Sequence, residues 1–112
     1  MALTKTLIVL GDVSHVSLVI EYIAMARGEE YTIVTHSELV GPIGREIGRA
    51  KQAKHVKLVV FNYTRPEESA LRLFVEASPD VVVDCDPYDK LRYLKNIVKA
   101  SSMEVVECSD LR

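Results

Sequence analysis

The sequence predicts a three-layer, Rossmann-like α/β fold built on a five-stranded parallel sheet. Short apolar, β-rich runs alternate with longer helical stretches along 112 residues, and strands that alternate with helices pair in parallel through right-handed crossovers. Three of the runs, Leu7-Ile8-Val9-Leu10, Leu58-Val59-Val60-Phe61 and Val81-Val82-Val83, are nearly continuous in apolar residues, which suits strands covered on both faces.

The elements follow in order. The first strand covers about Lys5 to Leu10, and the first helix about Ser14 to Ala26, stopped by Gly28. The second strand is Tyr31 to Thr35, and the second helix about Pro42 to Lys54 with a short turn before it. Val56 to Phe61 form the third strand and Arg65 to Ala77 the third helix, ended by Ser78-Pro79. Asp80 to Cys85 form the fourth strand, Pro87 to Ala100 the fourth helix, and Met103 to Cys108 the fifth strand. Thr64 and Glu67 have the spacing of a capping box. Asp86-Pro87 places a carboxylate before a proline, as at a helix start. Asp12 or Ser14 would cap the first helix.

Strands two and five are diluted by Tyr31, Thr32, Thr35, Glu104 and Glu107. Diluted strands are expected at edges. That favours the flavodoxin-like order 2-1-3-4-5 over 3-2-1-4-5, which would put the apolar third strand outside. The chain has four helices and no residues for a fifth, so part of one sheet face is expected to be bare. The first helix is apolar nearly all round. A homodimer through Val16, Val19, Ile20 and Ile23 and the adjacent sheet face would cover both surfaces.

Composition narrows the function classes. A net charge of −2 argues against a general grip on nucleic acid or anionic lipid. No apolar run approaches the roughly 20 residues that cross a bilayer. The start, Met1-Ala2-Leu3-Thr4-Lys5, has no signal-peptide pattern, so a cytosolic chain is expected. Asn and Gln are scarce and Trp is absent, a lean toward a thermophile.

In a doubly wound sheet the ligand crevice lies at the carboxyl ends of the strands, where the order reverses. With order 2-1-3-4-5 that point falls between the first and third strands. The candidate binding residues are then Asp12, Ser14, His15, Asn62, Tyr63 and Arg65, with Asp84 one strand away. Arg65 at a helix start would suit a phosphate, and His15 or His36 a proton or a nucleotide contact. Asp12, Asp84 and Asp86 are the alternative, a magnesium site for phosphoryl transfer or hydrolysis, although capping alone explains Asp12 and Asp86.

Gly11-Asp12-Val13-Ser14-His15 matches neither a dinucleotide fingerprint nor a P-loop. Phe61-Asn62 ends the third strand where a receiver domain would need a phosphorylatable aspartate. GxSxG is missing. No cofactor is indicated. Helix two carries Arg45, Arg49, Lys51 and Lys54, with Gly41, Gly44 and Gly48 nearby. They offer a second alternative, contact with nucleic-acid phosphates, against a solvated face balanced by Glu38 and Glu46. Cys85 and Cys108 end neighbouring strands within disulfide reach. They would stay reduced in an ordinary cytosol and bridge in a thermophile's. The leading expectation is a small regulatory or assembly module that binds a small ligand or a protein partner at the crevice.

Overall fold

The computed structural model describes residues 4–25, 29–50 and 55–111, with the backbone alone for Glu29 and residues 47–50. Five strands form one sheet: β1 (Thr4–Leu10), β2 (Glu29–Thr35), β3 (His55–Val60), β4 (Val81–Cys85) and β5 (Val105–Glu107). Every neighbouring pair is parallel. Four α-helices connect them: α1 (Val16–Met25), α2 (Val40–Ala50), α3 (Pro66–Ala77) and α4 (Arg92–Ala100). The class, the strand count and the parallel pairing are those expected. The end of the first helix at Ala26 to Gly28 and the last turn of the second, through Lys54, lie outside the described residues. No helix among the described residues is long and apolar enough to cross a membrane.

The strand order is 3-2-1-4-5, not the expected 2-1-3-4-5. β1 sits between β2 and β4, with Ile8 opposite Ile33 on one side and Val83 on the other. The diluted β2 is internal because its polar atoms find partners. Thr35 is 0% exposed, and its hydroxyl donates to the Leu10 carbonyl at 2.8 Å. Tyr31 is buried, with its ring edge-on to Tyr22 at 5.9 Å. The apolar β3 is the edge strand. Leu58 and Val59 are half-buried and Val60 is 45% exposed. Polarity along a strand ranks its burial poorly when hydroxyls can be bonded inside.

Side-chain alternation divides the core in two. On one face Ile8, Leu10, Tyr31, Ile33, Val83 and Cys85 pack with Val19 and Ile23 of α1 and Ile43 of α2. On the other, Leu7, Val9, Val34 and Val82 pack with Ala70 of α3 and Leu94 and Val98 of α4. Stepping from β1 to β2 to β3 in one direction keeps α1 and α2 together. The return past β1 to β4 puts α3 and α4 opposite.

This arrangement also changes the reading of the first helix. Val16, Val19 and Ile23 are buried against the protomer's own sheet. Of the four residues expected at a dimer interface, Ile20 alone is partly exposed. The strip expected to be bare is partly filled: Val106 and Leu111 pack against the same cluster as Val83.

The helix starts differ from expectation at two places. α3 begins at Pro66, with Arg65 before it making no side-chain cap bond. Thr64 does not cap, because its amide donates to Asn62 Oδ1 at 2.9 Å in a turn of its own. α4 begins at Arg92, well after Pro87. The Asp86 carboxylate accepts from the amides of Lys90 and Leu91, so residues 87–91 form a loop hung on Asp86 before the helix starts. Asp12 does cap as expected, accepting from the Ser14 amide at the head of a 3₁₀ turn, Val13–His15, that leads into α1.

Gly41 and Gly44 on α2 have open space where a methyl would stand, with nothing within 4 Å. Gly44→Ala is expected to stabilise the protein by about 0.5–1 kcal/mol, read as a higher urea midpoint at unchanged slope. A lower midpoint would mean that the added methyl meets a neighbour.

Candidate functional site

With order 3-2-1-4-5 the switch point lies between β1 and β4, which moves the expected ligand end of the sheet to β4 and its neighbours. Gly11 follows β1. Its amide donates to the Cys85 carbonyl at 3.0 Å, tying the ends of the two strands. Its own carbonyl lies 3.1 Å from Nε2 of the buried His36, at the end of β2. Asp86, 1% exposed, fills the space beside Gly11. A Cβ built on Gly11 would stand 1.9 Å from Asp86 Oδ1. A glycine is required by this close approach.

Asp86 leads into a cluster around Lys95 of α4. Lys95 Nζ donates to the Asp86 carbonyl at 2.8 Å and to the Asp89 carboxylate, and lies 3.4 Å from Asp84 Oδ2. The Lys95 and Asp84 side chains are 16% and 19% exposed. Burial opposes the charge on Lys95, but its bond to Asp89 and the charges of Asp84 and Asp86 outweigh it, and its pKa is raised. Asp89 is lowered, mainly by the bond from Lys95. Asp84 Oδ1 also accepts from the Asp86 amide at 3.0 Å. The pattern Leu91, Leu94, Val98 that turns α4 to the core also puts Lys95 on its inner flank. That spacing is the signal by which the sequence could have revealed Lys95.

A crevice of about 360 Å³ opens beside this cluster, lined by His15, Asp84, Asp86, Lys95, Glu107, Ser109 and both cysteines. Cys85 and Cys108 are joined by a disulfide, with Cα atoms 4.9 Å apart. β4 and β5 are neighbours in either strand order, so the pairing survives the correction. Closing a loop of sequence separation 23 contributes about 3.4 kcal/mol in the chain-entropy account. His15 Nδ1 is shut off from solvent and has no hydrogen-bond partner among the described residues.

The expected site residues do not form one group. His15 and Asp84 line the crevice. The Asp12 carboxylate is held by the amide and hydroxyl of Ser14, and the hydroxyl bond lowers its pKa. Asn62 and Arg65, expected beside β1, follow the edge strand and line a different hollow of about 350 Å³ between β3 and α3. Arg65 is largely exposed and pairs with Glu68 at 3.5 Å, a surface pair of small worth. Tyr63 turns back to donate to the Lys90 carbonyl at 2.7 Å. Burial raises its pKa, helped by the charges of Asp86 and Glu38.

Among the described residues no three His, Cys, Asp or Glu side chains are grouped to hold a metal; of the alternative magnesium set, Asp12 is bonded to Ser14, and Asp84 and Asp86 to backbone amides and near Lys95. On helix two Arg45 is exposed. The Arg49 side chain, Lys51 and Lys54 lie outside the described residues. A hollow of about 540 Å³ lies at the opposite end of the strands near Lys5, Glu30, Lys57 and Glu76. It is a trough beside the edge strand, away from the switch point. Comparison with protein-family models, with curated proteins and with solved structures finds no match to this chain.

Gly11→Ala is expected to destabilise by at least about 3 kcal/mol, since the clash falls on a buried, bonded carboxylate. A urea midpoint near wild type would refute the close approach. Lys95→Met is expected to cost roughly 2–3 kcal/mol by leaving Asp84 and the Asp86 carbonyl without their cation. The pH dependence follows from the two shifts. Asp89, lowered in the fold, stabilises above its unfolded value of about 3.9 and loses this as pH falls through its folded value. Lys95, raised in the fold, stabilises below about 10.4 and loses this as pH rises through its folded value. Melting temperatures of the wild type are therefore expected to fall on both limbs, and Lys95→Met to flatten both. Parallel curves would show that the cluster contributes no proton linkage.

Proposed function

We propose that the chain is a small, non-catalytic binding module, a regulatory or assembly subunit whose ligand enters the crevice between the ends of β4 and β5. The observation that carries this reading is that Asp84, Asp86 and Lys95, the less exposed charged groups there, are already bonded inside the protein. Asp86 holds two backbone amides, and Asp84 holds an amide and Lys95. Lys95 holds Asp89 and the Asp86 carbonyl. Bonds to amides and to a cation make a carboxylate less basic and fix its oxygens in place, which disfavours a general base, a nucleophile or a metal ligand. Of the crevice residues, His15 alone has a buried ring nitrogen without a partner among the described residues.

Asp84, Asp86 and Glu107 outnumber Lys95 in the lining, which disfavours phosphate-bearing ligands and favours a neutral or cationic polar one. The reading takes the chain as cytosolic. An internal disulfide is then that of an intracellular hyperthermophile protein.

A thermal-shift panel of small amines, neutral polar compounds and nucleotides, each with and without magnesium, tests it. A ligand at one hundred times its Kd adds about 2.7 kcal/mol. The expected result is a magnesium-independent rise with an amine or neutral compound that shrinks in His15→Ala. A nucleotide shift that needs magnesium and disappears in Asp84→Asn would replace this reading with phosphoryl-transfer chemistry.

A further inference from the structure

β5 is the weakest strand of the sheet. It has three residues, pairs with β4 alone, and leaves Val105 and Glu107 exposed. Its apolar anchors, Val106 and Leu111, are only partly buried. The strongest link from residues 104–111 to the rest of the molecule is the disulfide. Its two ends are held very differently. Cys85 belongs to β4, and its carbonyl accepts from Gly11. Cys108 opens the 3₁₀ turn Cys108–Asp110. Glu107, Cys108 and Ser109 also form one wall of the crevice.

We propose that the Cys85–Cys108 disulfide is a redox latch on this crevice. Its reduction releases residues 104–111 and opens that wall while the rest of the sheet stays folded. The proposal rests on the reading of the crevice as a binding site and adds its regulation. The reductant is a small dithiol. One thiolate attacks a sulfur of the bridge, forming a mixed disulfide and releasing the other cysteine as a thiolate. The second thiol of the reductant then displaces the remaining cysteine. Two electrons and two protons pass to Cys85 and Cys108, and the reductant leaves as a cyclic disulfide. Both cysteines are buried, 1% and 4% exposed, so attack follows local opening of residues 104–111. Opening is then the step at which the wall moves.

The test is residue-resolved hydrogen exchange on the full chain, comparing oxidised protein, protein reduced with dithiothreitol, and Cys108→Ser. Reduction is expected to lower protection of the amides of residues 106 and 108, which this register turns toward β4, on the order of 100-fold, leaving β1, β2 and α4 protected. The His15 ring resonances are expected to shift with it. Unchanged protection in residues 104–111 would overturn the latch. So would an equal loss across the whole sheet, which would make the bridge a staple of the entire fold. If Cys108→Ser does not fold, the reduced wild type carries the comparison, with its reoxidised form as control. No ligand is needed, so this result stands apart from whether the crevice binds one.

Discussion

The buried carboxylate of Asp86 is the constraint on which the rest of the structure depends. It accepts from the amides of Lys90 and Leu91 and so fixes where α4 begins. It fills the space that Gly11 leaves by having no side chain, while the Gly11 amide and carbonyl bond to Cys85 and lie against His36. The ends of β1, β2 and β4 are thus held through one glycine. A buried charge is tolerated only when its oxygens are bonded, and here two amides supply those bonds, with Lys95 Nζ lying 3.9 Å from Oδ2. Removing any member leaves a polar group without its partner in a place water does not reach.

The same satisfaction shapes the chemistry. Acidic residues gathered at the carboxyl ends of a doubly wound sheet would ordinarily suggest metal-assisted catalysis. Here Asp12 serves a turn, Asp86 a loop and Asp84 an ion pair. Their positions follow from strand-to-helix transitions, where carboxylates stabilise exposed amides. The cluster builds a net-acidic wall beside a crevice, with Asp84 and Asp86 bonded to backbone amides and to Lys95.

The class of fold was legible because the apolar runs Leu7–Leu10 of β1 and Val81–Val83 of β4 alternate with helical stretches. The order of the strands was not, because it depends on bonds that composition does not record. Thr35 reads as polar, yet its hydroxyl is fully bonded inside. Val60 reads as core, yet it faces solvent at an edge. That one error moved the expected crevice away from β4 and drew Asn62 and Arg65 into a site they do not share. Asp84 was rightly singled out as the carboxylate that capping leaves unexplained. Its partner Lys95 lay on a helix flank that the apolar spacing could have exposed. The turn hung on Asp86 was hidden because an aspartate before a proline reads equally as the first cap of a helix.

A sheet stopped at five strands has two edges to protect, and the sequence treats them differently. β3 is six residues long and rich in valine, a pattern prone to pairing with other chains. It keeps Lys57 and His55 exposed, and an edge lysine discourages such pairing. β5 is kept to three residues and bridged covalently to β4 beside it. A short strand offers little template for aggregation, but it also gains little from its own ladder. The bridge supplies what so short a ladder lacks. It stands at the crevice because the carboxyl end of β4 is where the sheet is most firmly held, through Gly11 and Asp86. The edge that most needs an anchor is fastened to the point best able to provide one, and the crevice wall is the by-product of that attachment.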